Sequence, residues 1–240
     1  MKIALILSGQ PRFYNSVSYT TIYNEILNKY DTDVFFHCWY SSNKDYNYEY
    51  SPWSGINQKI TFPDTVKEDL IKMYNPKEYI IEEPIKFNFK MSDIDNNNKN
   101  REFLYNNVPS MFYSLTKSNE LRITYEKKNN IIYDWVIRAR FDTLLVSLPE
   151  LNKLCPGNIY VPDNCPNPNV FNDNFSICSS LCCNNIYDVF TNLQEYINKV
   201  GIIPESIWKC HIELLSINVV KLNFFQNFSR SNFLKQQVIP

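Results

Sequence analysis

Apolar positions alternate between two kinds of pattern along the chain. Residues 2–7 form a nearly continuous apolar run closed by Ser8-Gly9, which predicts a buried parallel strand ending in a turn. Tyr19, Ile22, Tyr23, Ile26, Leu27 and Tyr30 then recur at helical spacing. Residues 33–39 (DVFFHCW) return to a strand pattern. Strand, helix and strand at this spacing predict a βαβ opening, hence an α/β fold with a central, mostly parallel sheet flanked by helices.

The rest of the chain continues the alternation. Residues 40–55 read as a polar and aromatic loop, and 59–62 as a short strand. Pro63-Asp64 starts a helix to about Tyr74, with Asp64 as N-cap. Residues 78–82 are a third strand. Residues 91–101, with the run Asp95-Asn96-Asn97-Asn98-Lys99-Asn100, read as a mobile surface loop. Pro109 opens a long helix to about Lys128 with Met111, Phe112, Leu115 and Leu121 inward. Residues 134–141 (DWVIRARF) form a strand ending at Asp142. Short strands and turns follow over 144–161, then a Pro- and Asn-rich loop over 162–174 and a short strand over 175–179. Ile186, Val189, Phe190, Leu193, Ile197 and Val200 fit one amphipathic helix. Pro204-Glu205 opens another, and residues 219–225 are a late strand. Neither repeat nor linker interrupts the 240 residues, so one domain is expected.

Composition narrows the function classes. Hydrophobic residues make up 44% and charged residues 20%, which is ordinary for a globular chain. The net charge of −1 lacks the basic surplus of a nucleic-acid binder, so no nucleic-acid partner is expected. Seven cysteines are an odd number, and Cys178-x-x-x-Cys182-Cys183 has no partner knuckle for structural zinc. They read as reduced thiols of a cytosolic protein. The first apolar run is at the short limit of a signal-peptide core and is followed by Gln10-Pro11-Arg12 rather than a cleavage site. No apolar stretch has transmembrane length. The expected location is cytoplasmic, where the sequons at Asn174 and Asn227 go unused.

In open α/β sheets ligands bind beyond the carboxyl ends of the strands. Two turns qualify: Ser8-Gly9-Gln10-Pro11-Arg12 and Arg140-Phe141-Asp142. If their strands are neighbours, Arg12, Arg140 and Asp142 converge. Arginine forks suit phosphate oxygens, and a carboxylate suits Mg²⁺ or Mn²⁺. Together they would stabilise charge growing on a diphosphate leaving group. A purely structural ion-pair cluster of Arg138, Arg140 and Asp142 fits the same spacing. Four glycines leave no glycine-rich phosphate cradle, and neither GxGxxG nor GxxxxGK[ST] occurs. There is no GxSxG elbow for a hydrolase. Of the two histidines, His37 reads as a satisfied strand-end residue.

The set Ile6-Leu7-Ser8-Gly9-Gln10-Pro11-Arg12, residues 33–39, Pro109-Ser110-Met111-Phe112-Tyr113-Ser114 and residues 133–142 resembles glycosyltransferases of bacterial surface-polysaccharide loci and giant viruses. The resemblance implies a GT-A fold and a sugar moved from a nucleotide-sugar donor to a glycan or glycoconjugate hydroxyl. It also implies a divalent cation, Mn²⁺ or Mg²⁺, and divides the domain into a nucleotide-binding half (1–105) and a metal and acceptor half (106–240). On this resemblance Ser8, Gly9, Gln10, Arg12 and Arg140 bind the donor, and Asp142 matches the last acid of the metal-holding Asp-x-Asp signature. Arg140 stands where the first acid would be, which leaves it open to neutralise the diphosphate itself. Asp173 is the candidate base for an acceptor hydroxyl in an inverting transfer; an Asx turn before a strand explains the same residues. Glu205 and His211 resemble the late segment that closes the site and adds a metal ligand. Glu205 also fits a first-turn acid, and His211 a packed core histidine. The aromatics Tyr46, Tyr48, Tyr50 and Trp53 suit stacking on a base or sugar, or local packing. Two other classes stay open: a nucleotidyltransferase that makes the activated sugar, and a non-catalytic nucleotide- or sugar-binding relative.

Overall fold

The computed structural model describes residues 1–43, 46, 48–51, 56–96, 101–165, 167–223 and 226–228, with backbone alone for 48–51, 56–59 and 226–228. The first half holds β1 (Lys2–Gly9), α1 (Val17–Ile22), β2 (Asp31–Trp39), β3 (Tyr48–Ser51), β4 (Ile56–Ile60), α2 (Val66–Tyr74) and β5 (Glu78–Glu82). Next come α3 (Leu104–Asn129), β6 (Trp135–Arg140), β7 (Thr143–Leu145), β8 (Asn158–Pro162) and β9 (Ser176–Cys178). The chain continues through α4 (Ser180–Ile186), α5 (Leu193–Val200), α6 (Pro204–Leu214), β10 (Asn218–Leu222) and β11 (Gln226–Phe228).

Among the described residues seven strands form one sheet in the order β10-β8-β9-β6-β1-β2-β5. Six run the same way; β9 alone is antiparallel to both neighbours, β6 and β8. The fold is therefore α/β with a mostly parallel sheet, as the periodicity predicts. Strand β1 shows why its sequence is apolar throughout. Side chains alternate across a strand. Ile3, Leu5 and Leu7 pack under α1 and α2 with Ile22, Ile26, Val66 and Leu70. Ala4 and Ile6 face α3 with Leu104, Phe112 and Leu115. Both faces are covered, and each of the three large residues facing α1 and α2 contributes about 1.5–3 kcal/mol by leaving water.

Several expectations change on folding. The first helix is shorter than its periodicity: α1 gives way to a π-helical turn, Tyr23–Leu27, that still buries Ile26. Inside the expected loop 40–55, Tyr48–Ser51 form β3, which pairs antiparallel with β4, and the strand expected at 59–62 falls instead at Ile56–Ile60. Asp64 is not the cap of α2; Thr65 holds that position without a side-chain capping bond. The surface-loop reading of 91–101 fails at Asp95, which is fully buried. Its carboxylate accepts from Ser92, Tyr105, Arg101 (2.5 Å) and the Ile202 amide. Residues 97–100 of that run lie outside the described residues. Helix α3 begins at Leu104, before Pro109, which sits inside it. The early turn is stabilised by burial of Leu104, Tyr105 and Val108. The single helix expected over 186–200 is broken between α4 and α5, although Ile186, Val189, Leu193 and Ile197 are all fully buried. Their spacing reports burial, not continuity. The late strand is Asn218–Leu222; residues 224–225 lie outside the described residues. No described helix is long and apolar enough to cross a membrane. All seven cysteines are free thiols.

Candidate functional site

The strand order reverses between β1 and β6, and this switch point is where an open α/β sheet leaves a crevice. Ser8 pairs with Arg140 in register, so the two turns singled out in the sequence are adjacent. A cavity of about 730 Å³ opens there, a size suited to a small-molecule ligand. Its walls come from one edge of the sheet. The turn after β1 supplies Ser8, Gly9, Gln10 and Arg12; β2 supplies Trp39 and the segment after β5 supplies Lys86; β6 supplies Arg140; the loop after β8 supplies Asn164 and Cys165. Being antiparallel, β9 brings its amino end to this same edge, which places Asn172, Asp173 and Asn174 in the wall. The first turns of α3 add Asn106, Asn107 and Ser110, and the start of α6 adds Glu205.

Local chemistry explains each placement. Gly9 has φ +107°, a conformation L side chains rarely adopt, and lets the chain turn off β1. Its amide donates to Ser114 Oγ (2.7 Å), which ties the turn to α3. The same Ser114 hydroxyl lies 2.8 Å from His37 Nδ1, and His37 Nε2 lies 2.8 Å from Glu82. Burial pulls the His37 pKa down against the pull of Glu82. His37 is thus a satisfied strand histidine. Gln10 Oε1 accepts from Arg12 Nε (2.7 Å) and orients that guanidinium.

Arg140 forks onto Asp142, with Nε and Nη2 donating at 2.9 and 3.0 Å, and its Nη1 reaches Asn174 Oδ1 at 3.3 Å. Asp142 is buried (1% exposed) and does not line the cavity. His211 lies on the buried face of α6. Its Nδ1 is 2.9 Å from Tyr196 Oη, and its Nε2 faces the carbonyls of Asn185 and Ile186. That is the packed core histidine of the second sequence reading, and burial lowers its pKa. The structure therefore brings Ser8, Gly9, Gln10, Arg12, Arg140, Asp173 and Glu205 to one cavity, and leaves Asp142 behind Arg140 and His211 elsewhere.

Two carboxylates, Asp173 and Glu205, line the cavity. Asn172 Oδ1 accepts the Asn174 amide (2.9 Å), so the Asx turn exists, and it holds Asp173 in the wall. Glu205 is raised to about 7 by burial first and then by the charge of Asp173. Beneath them lies Arg138, fully buried, whose Nη1 donates to the Asp173 carbonyl. Of the aromatic loop, Tyr46 lines the cavity; Trp53 and the side chains of Tyr48 and Tyr50 lie outside the described residues. The sequence reading missed Trp39, Lys86 and the α3 face. The last was hidden because Pro109 marks a helix start one turn too late. Among the described residues no group of three or more acidic, His or Cys side chains forms a cation cage. Compared with known proteins, the chain matches no family model and no curated sequence.

Proposed function

We propose that this protein is a nucleotide-sugar glycosyltransferase of GT-A type, with the switch-point cavity as its donor and acceptor site. One observation carries the reading: arginines from two strand ends and the carboxylates Asp173 and Glu205 line a single cavity. Arginine near a diphosphate and a carboxylate near a hydroxyl are the two needs of sugar transfer. In the inverting reaction the acceptor oxygen bonds the sugar C1 and its proton passes to Asp173. The bond from C1 to the diphosphate oxygen breaks, and its electron pair leaves with the diphosphate. Arg12 and Arg140 stabilise that departing charge. Glu205, protonated near neutrality, donates a hydrogen bond inside the cavity.

The expected Mn²⁺ or Mg²⁺ finds a poor fit. Both oxygens of Asp142 accept from Arg140, and both ring nitrogens of His211 face protein groups in the core. No step is assigned to a metal. The test is a thermal-shift screen with nucleoside diphosphates and nucleotide sugars, with and without Mn²⁺, followed by a transfer assay on the stabilising donor. A ligand that binds the native state alone raises its stability. Stabilisation by one nucleotide without cation, lost in Arg140→Ala, supports the arginine assignment. Binding without turnover reduces the protein to a binding module, and pyrophosphate release from a nucleoside triphosphate makes it a nucleotidyltransferase. No stabilisation by any nucleotide removes the reading.

A further inference from the structure

His37 is a buried titratable group beside the cavity that the transfer scheme leaves unused. It stands on β2 in register with Ser8 at the end of β1. Its Nδ1 is 2.8 Å from Ser114 Oγ on α3. Its Nε2 is 2.8 Å from Glu82 Oε1, at the end of the edge strand β5. Ser114 Oγ in turn accepts the Gly9 amide at 2.7 Å. One line of contacts therefore runs from the cavity turn to the sheet edge through Gly9, Ser114, His37 and Glu82. Gly9, His37 and Ser114 fall in three different segments of the set that carries the resemblance. Folding brings those segments together at this point.

Donor and acceptor chemistry gives the line a direction. A carboxylate only accepts, so Nε2 carries the proton that faces Glu82. Burial lowers the His37 pKa against the pull of Glu82, with the charge of Lys117 adding to it, so the ring is neutral at neutral pH. A neutral imidazole has one N–H, which leaves Nδ1 as an acceptor. The Ser114 hydroxyl donates to Nδ1 and keeps a lone pair for the Gly9 amide. Trp39 and Tyr113 stand edge-on to the imidazole, their ring centres 4.6 and 5.6 Å away, and hold its plane. The order acid, imidazole, hydroxyl also serves nucleophilic catalysis. Here, however, Ser114 has no exposed surface, its Oγ is engaged by Gly9, and it does not line the cavity.

We propose that Glu82, His37 and Ser114 are positioning residues, a one-way hydrogen-bond relay that fixes the Gly9 turn at the cavity and commits the Gly9 amide to the protein. The turn then meets a ligand through the side chains of Gln10 and Arg12, which line the cavity. The relay holds whatever that ligand is, so it goes beyond the transferase reading and does not rest on it.

The test is NMR of the ligand-free protein at neutral pH. Imidazole ¹⁵N signals read the His37 tautomer at one end, and the Gly9 amide reads the other. In the wild type the His37 proton sits on Nε2. Glu82→Gln, which keeps an acceptor, retains that tautomer and the Gly9 signal. Glu82→Leu admits the Nδ1–H form and moves the Gly9 amide signal. Ser114→Ala speeds Gly9 amide exchange by at least about fivefold relative to Leu5 on the same strand. A fluorophosphonate probe leaves Ser114 unmodified. A wild-type proton on Nδ1 or on both nitrogens, an unmoved tautomer and Gly9 signal in Glu82→Leu, or unchanged Gly9 exchange in a folded Ser114→Ala each overturn the proposal. Labelling of Ser114 overturns it too, by making that hydroxyl a nucleophile. Glu82 is partly exposed, so its variants decide the matter even if Ser114→Ala does not fold. Absence of nucleotide binding would remove the transferase reading and leave these signals as they are.

Discussion

Arg138 and Arg140 stand two residues apart on β6, on the same face of the strand, and their surroundings are opposite. Arg140 is partly exposed (21%) at the cavity wall, with a carboxylate forked onto it and Asn174 beside it. Arg138 is sealed beneath the cavity, with two nitrogens unpartnered among the described residues and an aromatic ring across its face. A charge near water is screened; a charge in the interior acts strongly on its neighbours. The outer arginine is suited to meeting a ligand; the inner one holds the Asp173 carbonyl from beneath the cavity. The difference teaches that within one strand the reach to solvent, not the residue type, separates binding from positioning.

The largest expected effect tests the groups above the inner arginine. Asp173→Asn should lower sugar transfer by about 10²–10⁴-fold, the usual worth of a general base, while circular dichroism stays native. A rate within twofold of wild type would falsify the base assignment. At the outer arginine, Arg140→Ala should weaken nucleoside-diphosphate affinity by about tenfold to a hundredfold, read by calorimetry. Equal affinity would take Arg140 out of the donor site.

Glu205→Gln sharpens the comparison through stability. The Glu205 pKa is raised in the fold to about 7 from an ordinary 4.5, so between those values the native state binds more protons than the unfolded one. Wild-type stability therefore falls as pH rises through this window and levels off above it. The glutamine variant should lack that fall and gain on the order of 2 kcal/mol above pH 7, after allowing for partial solvent screening. Identical pH profiles of melting temperature in the two proteins would mean that Glu205 is not perturbed. The smallest effect is expected for Asp142→Asn, which keeps one acceptor for Arg140. Diphosphate affinity should drop about threefold, less than one neutral hydrogen bond. A total loss of binding would instead make Asp142 a direct ligand contact.

The strands β1, β2 and β6 were legible because strands buried on both faces are rich in apolar residues. Ser8–Arg12 and Arg140 were legible as strand-end turns because a parallel sheet gathers its ligand groups there. Other parts were not. Asp95 reads as a polar loop residue, yet four donors 3–107 positions away in sequence satisfy it in the core. The early start of α3 is decided by burial of Leu104, Tyr105 and Val108, which outweighs the signal of Pro109. Asp142 matched a motif by spacing, but spacing does not reveal that both its oxygens would be taken by Arg140.

The sequence by itself determined the α/β class and which strand ends carry phosphate-suited side chains, because hydrophobic periodicity and turn residues act locally. The tertiary structure alone decided that β9 runs antiparallel and so delivers Asp173 to the cavity edge, that Glu205 meets it there from α6, and that Arg138 lies beneath them. These are contacts between segments distant in sequence, and burial sets their charges only once the segments have met.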